Sequence, residues 1–167
     1  PPDLEAEGPA GVALRAAAGK TLYDLNVQQF CCAGLNFGYF YAGSPLIVGD
    51  GEAPPAYTMG SFTASTVPGC RAPHFWLRDG RSLYDAFGPG YTMLRFDTAA
   101  DVTSLEQGAR ACGMPLVVLN IEADTVPPEY RHRLLLCRSD QHIAWRGDAL
   151  PGDVAPLIAA LRGAQPA

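Results

Sequence analysis

The 167-residue chain is 48% hydrophobic and 17% charged, which is enough apolar material for a core and too little charge for a disordered chain. Its formal net charge of −5, from 12 basic and 17 acidic residues, offers no basic field to a phosphate backbone, so nucleic acid is not expected as a partner. No apolar run reaches the ~18 residues of a membrane span. The opening PPDLEAEGPAG lacks the basic start and apolar stretch of a secretory signal, and five irregularly spaced cysteines fit a reducing cytoplasm better than a disulfide framework.

In chain order, residues 1–11 are expected to be a loose tail without an initiator Met, as in a piece of a longer protein. The segment 13–34 reads as a helix, alanine-rich at first, with Leu22, Leu25, Gln29 and Cys32 three or four apart and Gly34 as its stop. Residues 35–75 carry Gly or Pro every few positions. Within them FGYFY (37–41) and PLIV (45–48) read as short extended pieces. A stretch this irregular is expected to wrap a surface or to lie against a partner domain.

The pattern then becomes regular. Residues 81–88 predict a helical turn, 91–96 a strand, and 101–113 a helix capped by Gly113. Residues 115–121 predict a buried parallel strand. Residues 133–138 and 142–147 flank Ser139–Asp140–Gln141 as an antiparallel hairpin, and 152–163 closes the chain as a helix begun by Asp153 and ended by Gly163. The expected fold is α/β: a thioredoxin-like, mixed four-stranded sheet with helices on both faces and no helix in the short 122–132 link. The expected division is an N-terminal helical and loop extension over 1–67 and the thioredoxin-like domain over 68–167.

Three stretches carry a family resemblance. The first, 68–96, holds Pro68–Gly69, Arg71, Pro73–His74, the Leu77–Asp79–Gly80 turn, Leu83, Asp85 and Phe87–Gly88. The second is LLLCRSDQHIAWRGD (134–148), with Ser139 where the pattern has Pro, and the third is GLNFGYFYAGSPLI (34–47). Together they resemble the C-terminal domain of the class A flavoprotein aromatic hydroxylases, such as phenol hydroxylase, hydroxyphenylpropionate hydroxylase and polyketide oxygenases. The resemblance implies a parent enzyme that uses FAD and NAD(P)H in upstream flavin- and substrate-binding domains, and a C-terminal domain without redox chemistry of its own.

The residues agree with that division of labour. No Gly-x-Gly-x-x-Gly turn is present, and Gly49–Asp50 reads as a turn. The chain after the first strand, DTAADV, lacks the Cys-x-x-Cys of a thiol oxidoreductase, while Cys31 and Cys32 are adjacent. His74, His132 and His142 have no zinc-site spacing, and no Gly-x-Ser-x-Gly is present. No catalytic, cofactor-binding or metal residue is therefore expected in this chain. Structural or domain-interface roles are expected for Arg71, His74, Asp79, Asp85, Asp140, Trp145 and Asp148. His74 is expected to pin the loop before the sheet, and Asp85 and Asp148 to tie that loop to the hairpin. A homo-oligomer is expected through apolar surface near 35–48. A stand-alone small-ligand binding module on the same fold is the alternative.

Overall fold

The structure is a computed structural model that describes residues 3–41 and 43–164. It opens with α1 (Gly8–Phe30), which starts earlier than its sequence suggests. Pro9 sits in the first turn, where its fixed φ favours a helix and its missing N–H costs nothing. The helix breaks at Cys31 and Cys32, which leave helical geometry, and resumes as the short α2 (Ala33–Phe37). Gly34 is thus a contact residue inside α2 rather than a stop. A Cβ there would lie 1.7 Å from the Thr58 carbonyl oxygen, so only glycine lets α2 approach the 58–61 segment.

The two extended pieces expected at 37–41 and 45–48 do not become strands. Pro45 and Leu46 form a turn, and Phe40 makes one isolated bridge to Cys70. The repeated Gly and Pro residues interrupt any longer ladder. The remaining elements follow their expected positions: a single 3-10 turn (Tyr84–Ala86), β1 (Tyr91–Arg95), α3 (Thr103–Ala111), β2 (Leu116–Asn120), β3 (Leu134–Cys137), β4 (Ile143–Gly147) and α4 (Ala155–Leu161). Gly113 takes φ +68° after α3, and Asp153 Oδ1 accepts the Ala155 N–H at 2.9 Å ahead of α4.

The sheet order is β2-β1-β3-β4, with β1 parallel to β2 and antiparallel to β3, and β4 antiparallel to β3. This is the expected mixed four-stranded arrangement. Two details differ from expectation. First, β2 is an edge strand and only partly buried, with Val117 40% exposed, because the 121–133 link carries no crossover helix that could place another strand outside it. Second, α3 and α4 share one face. There Met93, Leu134 and Leu136 pack against Leu105, Ala109, Leu157 and Ile158. The opposite face, formed by Leu94, Leu135, Cys137 and Ile143, is covered by irregular chain through Ala72, Phe75, Leu77 and Leu83. All four residues of β3 are buried, as a central strand covered on both faces requires.

Candidate interdomain surface

The β3–β4 turn gathers several of the residues singled out above. Gln141 has φ +71°, the left-handed geometry that closes a three-residue hairpin loop. Its side-chain oxygen accepts from both Nε and Nη2 of Arg71, the former at 2.8 Å. The Arg71 guanidinium lies 5.0 Å from the Tyr84 ring centroid and 5.4 Å from that of Phe37, joining turn, loop and α2. Asp140 receives Arg138 Nε at 3.2 Å, Arg138 Nη2 at 2.9 Å and the Tyr41 hydroxyl at 3.3 Å. Fully buried His142 donates through Nδ1 to the Asp140 carbonyl at 2.9 Å and lies under the Tyr39 and Tyr41 rings, 4.9 and 4.6 Å away. The Asp140 turn therefore holds residues 39–41 of the extension onto the sheet domain.

Burial pushes the Asp140 carboxyl up, but the His142 N–H and the Arg138 guanidinium outweigh it and hold the group below the usual carboxylate range. A depressed folded-state pKa contributes stability above the unfolded pKa, and that stability is lost as pH falls through the folded value. Unfolding free energy is expected to decline as pH drops from about 5 towards 2, and Asp140→Asn to flatten part of that decline. Urea melts across this range check it; equal slopes for the two proteins would remove Asp140 from the account.

A second tie was not read from the sequence. Arg146, with its side chain 5% exposed, donates to Asp50 Oδ2 at 2.7 Å, Glu52 Oε2 at 2.5 Å and Thr66 Oγ1 at 3.1 Å. Thr66 in turn donates to the Glu129 carbonyl at 2.7 Å. The available signal was an arginine within the otherwise apolar β4 and an acidic pair at 50 and 52 without an assigned partner.

The other expected residues are more local. His74 is exposed; its Nε2 lies 2.9 Å from Ser82 Oγ, and its ring is edge-on to Trp76 and Tyr84. Asp79 pairs with Arg81 two residues on, at 2.7 Å. Asp148 accepts the Arg133 N–H at 3.1 Å and so closes the open end of the hairpin. Asp85 sits in the 3-10 turn with its carboxylate exposed, and among the described residues no hydrogen bond ties it to the hairpin. Trp145 packs against the α3–α4 core, and a Cβ on Gly147 would lie 2.7 Å from its ring.

The features needed for redox work do not come together among the described residues. Burial pushes the Cys137 thiol up, away from the reactive thiolate. The N-terminus of α3 does not fit the pyrophosphate of a dinucleotide. The 96–102 connection contains no glycine, and the Asp97 and Asp101 carboxylates already accept the Ala99 and Thr103 N–H groups, each at 2.9 Å. Those carboxylates would repel a phosphate placed there. No group of three or more His, Cys, Asp or Glu among the described residues suits a metal ion, and no described helix is long and apolar enough to cross a membrane.

What the surface offers instead is apolar area. On α1, Leu22, Tyr23, Leu25 and Phe30 are 61–82% exposed. Tyr57, Met59 and Phe62, on the segment beside α2, are exposed as well. The apolar face expected at 35–48 is half used within the chain. Leu35, Phe37 and Tyr39 remain exposed, while Ile47 and Val48 pack on the core.

Comparison with known proteins places this geometry in a lineage. Residues 65–164 match the family model described as aromatic-ring hydroxylase, C-terminal. The chain is 33% identical over 160 residues to a phenol 2-monooxygenase from a Pseudomonas species, and 30% identical over 157 residues to the FAD-dependent monooxygenase apdD of Emericella nidulans. These alignments cover 84% and 88% of this chain but only 25% of each relative. Among solved structures, the rebeccamycin biosynthetic enzyme RebC with reduced flavin matches 99% of the chain at a TM-score of 0.79 and 33% identity, using 30% of its own length. The flavin-dependent monooxygenase PieE shares the fold at a TM-score of 0.73 and 23% identity. The chain belongs to the C-terminal domain family of the FAD-dependent aromatic-ring hydroxylases.

Proposed function

We propose that this chain is the non-catalytic C-terminal part of a longer cytoplasmic monooxygenase whose upstream domains bind FAD, NAD(P)H and a phenol-like or polyketide-like ring. Residues 1–67 are the boundary with those domains, and 68–167 are the thioredoxin-like unit that packs beside them. The observation that carries this reading is α1. Among the described residues of this 23-residue helix only Gly11 is buried, yet apolar side chains lie on more than one of its sides. A helix that is apolar on several sides belongs in an interior, and the upstream domains of the parent provide one. A second copy binding the exposed Leu35, Phe37 and Tyr39 is the other occupant that suits this surface.

The chain mixed with FAD and passed through gel filtration is expected to elute colourless and to oxidise neither NADH nor NADPH. A flavin spectrum retained with the protein would overturn the reading. One observation favours the alternative of a small-ligand module: a groove of about 480 Å³ between His74, Phe75 and Trp76 on one side and Val126, Pro127 and Pro128 on the other. Saturable quenching of tryptophan fluorescence by a phenol, abolished in Trp76→Phe, would support that alternative.

A further inference from the structure

The sheet has two edges, and among the described residues only one of them is closed. Beside β4, Val48 N–H donates to the Ala144 carbonyl at 2.8 Å, Gly69 N–H to Ile143 at 2.7 Å, and Ile143 N–H to Cys70 at 2.9 Å. The extension and the loop after it thus occupy that side. Beside β2, no described segment does the same. Pro115 accepts from Tyr91 and Ile121 donates to Arg95, both towards β1. By alternation, the backbone groups of Leu116, Val118 and Asn120 turn outward. The strand reads LVVLN and carries no lysine, proline or bulge, the usual guards of an open edge.

The charges beside this edge are self-complementary. Glu106 and Arg110, one turn apart on α3, line with Met114 and Leu116 a groove of about 220 Å³ along β2. Both are exposed, and neither has an ion-pair partner among the described residues. A two-fold axis reverses the order of two such residues, so each acid meets the partner's base.

We propose that the β2 edge is a self-pairing interface. Two copies join β2 to β2 in antiparallel register about an axis at Val118. Leu116 of one copy opposes Asn120 of the other, each such pair exchanges both backbone hydrogen bonds, and Glu106 faces Arg110 across the joint. This surface is separate from α1 and from residues 35–48, so it stands whether or not the upstream domains cover those.

Sedimentation velocity and amide hydrogen exchange on the chain test it. The expected result is a dimer in which the Leu116, Val118 and Asn120 amides gain protection as concentration rises. Glu106→Arg is expected to weaken the dimer about tenfold, since two exposed pairs are lost and like charges are opposed. The double variant Glu106→Arg/Arg110→Glu restores it, with an unchanged far-ultraviolet spectrum throughout. A monomer at all concentrations, a dimer whose β2 amides exchange at a constant rate, or a charge swap that fails to rescue would each overturn the proposal. So would a dimer dissolved by Phe37→Ser while the β2 amides stay unprotected.

Discussion

Arg146→Ala is expected to lower the unfolding free energy by about 3 kcal/mol, the low end for breaking a buried charge pair. The side chain is almost fully enclosed, and its three donating nitrogens bind three different partners. Truncation leaves Asp50 and Glu52 without their cation, and the Thr66 hydroxyl without its donor. Both carboxylates are more exposed than the arginine, at 31% and 59%, which keeps the cost from reaching the top of that range. Burial pushes the Asp50 carboxyl up, and in the intact protein the hydrogen bond and charge of Arg146 together with the Glu52 N–H outweigh it, holding the group below its usual value. Intact Asp50 therefore adds stability that disappears as pH falls. In the variant the Glu52 N–H still donates to Asp50 at 3.0 Å but the Arg146 contribution is gone, so less stability is lost from this group as pH falls. Urea melts at pH 4 and pH 7, with limited proteolysis mapping cuts in 49–63, check both parts. A loss smaller than about 1 kcal/mol would mean that the tie behaves as an ordinary surface pair.

Leu135→Ala is expected to cost about 3 kcal/mol and to lower the melting temperature by roughly 6–12 °C. Leu135 is fully buried on the central strand, beside Leu94 of β1, and packs under the Phe75–Leu77–Leu83 loop. A central strand cannot move inward to fill the space left, because β1 and β4 fix it by hydrogen bonds on both sides. The same substitution at Leu25, which is 69% exposed on α1, is expected to change stability by less than about 0.5 kcal/mol in the isolated chain. Thermal melts of the two variants side by side measure the contrast. Equal losses would place α1 inside the cooperative unit and contradict its description as an unpacked helix.

The regular half of the chain was legible because its signals are local. Alternating or continuous apolar runs, Gly113 after α3, Asp153 before α4 and the three polar residues of the hairpin loop each act within a few positions, and every element from β1 to α4 fell where they placed it. The hydroxylase motifs at 68–96 and 134–148 were legible for the same reason, and the family match spans both. The irregular half was less so. The start of α1, its break at Cys31–Cys32 and the loss of strand structure at 37–48 depend on what packs where. Asp85 is similar: whether a carboxylate on a short turn reaches the hairpin is not encoded by its neighbours in the chain.

The sequence by itself determined an α/β body with a mixed sheet, because chain order and element type are properties of the string. The Arg146–Asp50–Glu52 tie, the stacking of Tyr39 and Tyr41 on His142, the grouping of α3 and α4 on one face and the open edge of β2 were decided only by tertiary structure. Each joins groups far apart in the chain, and no local propensity encodes which distant segment arrives at a given face or edge.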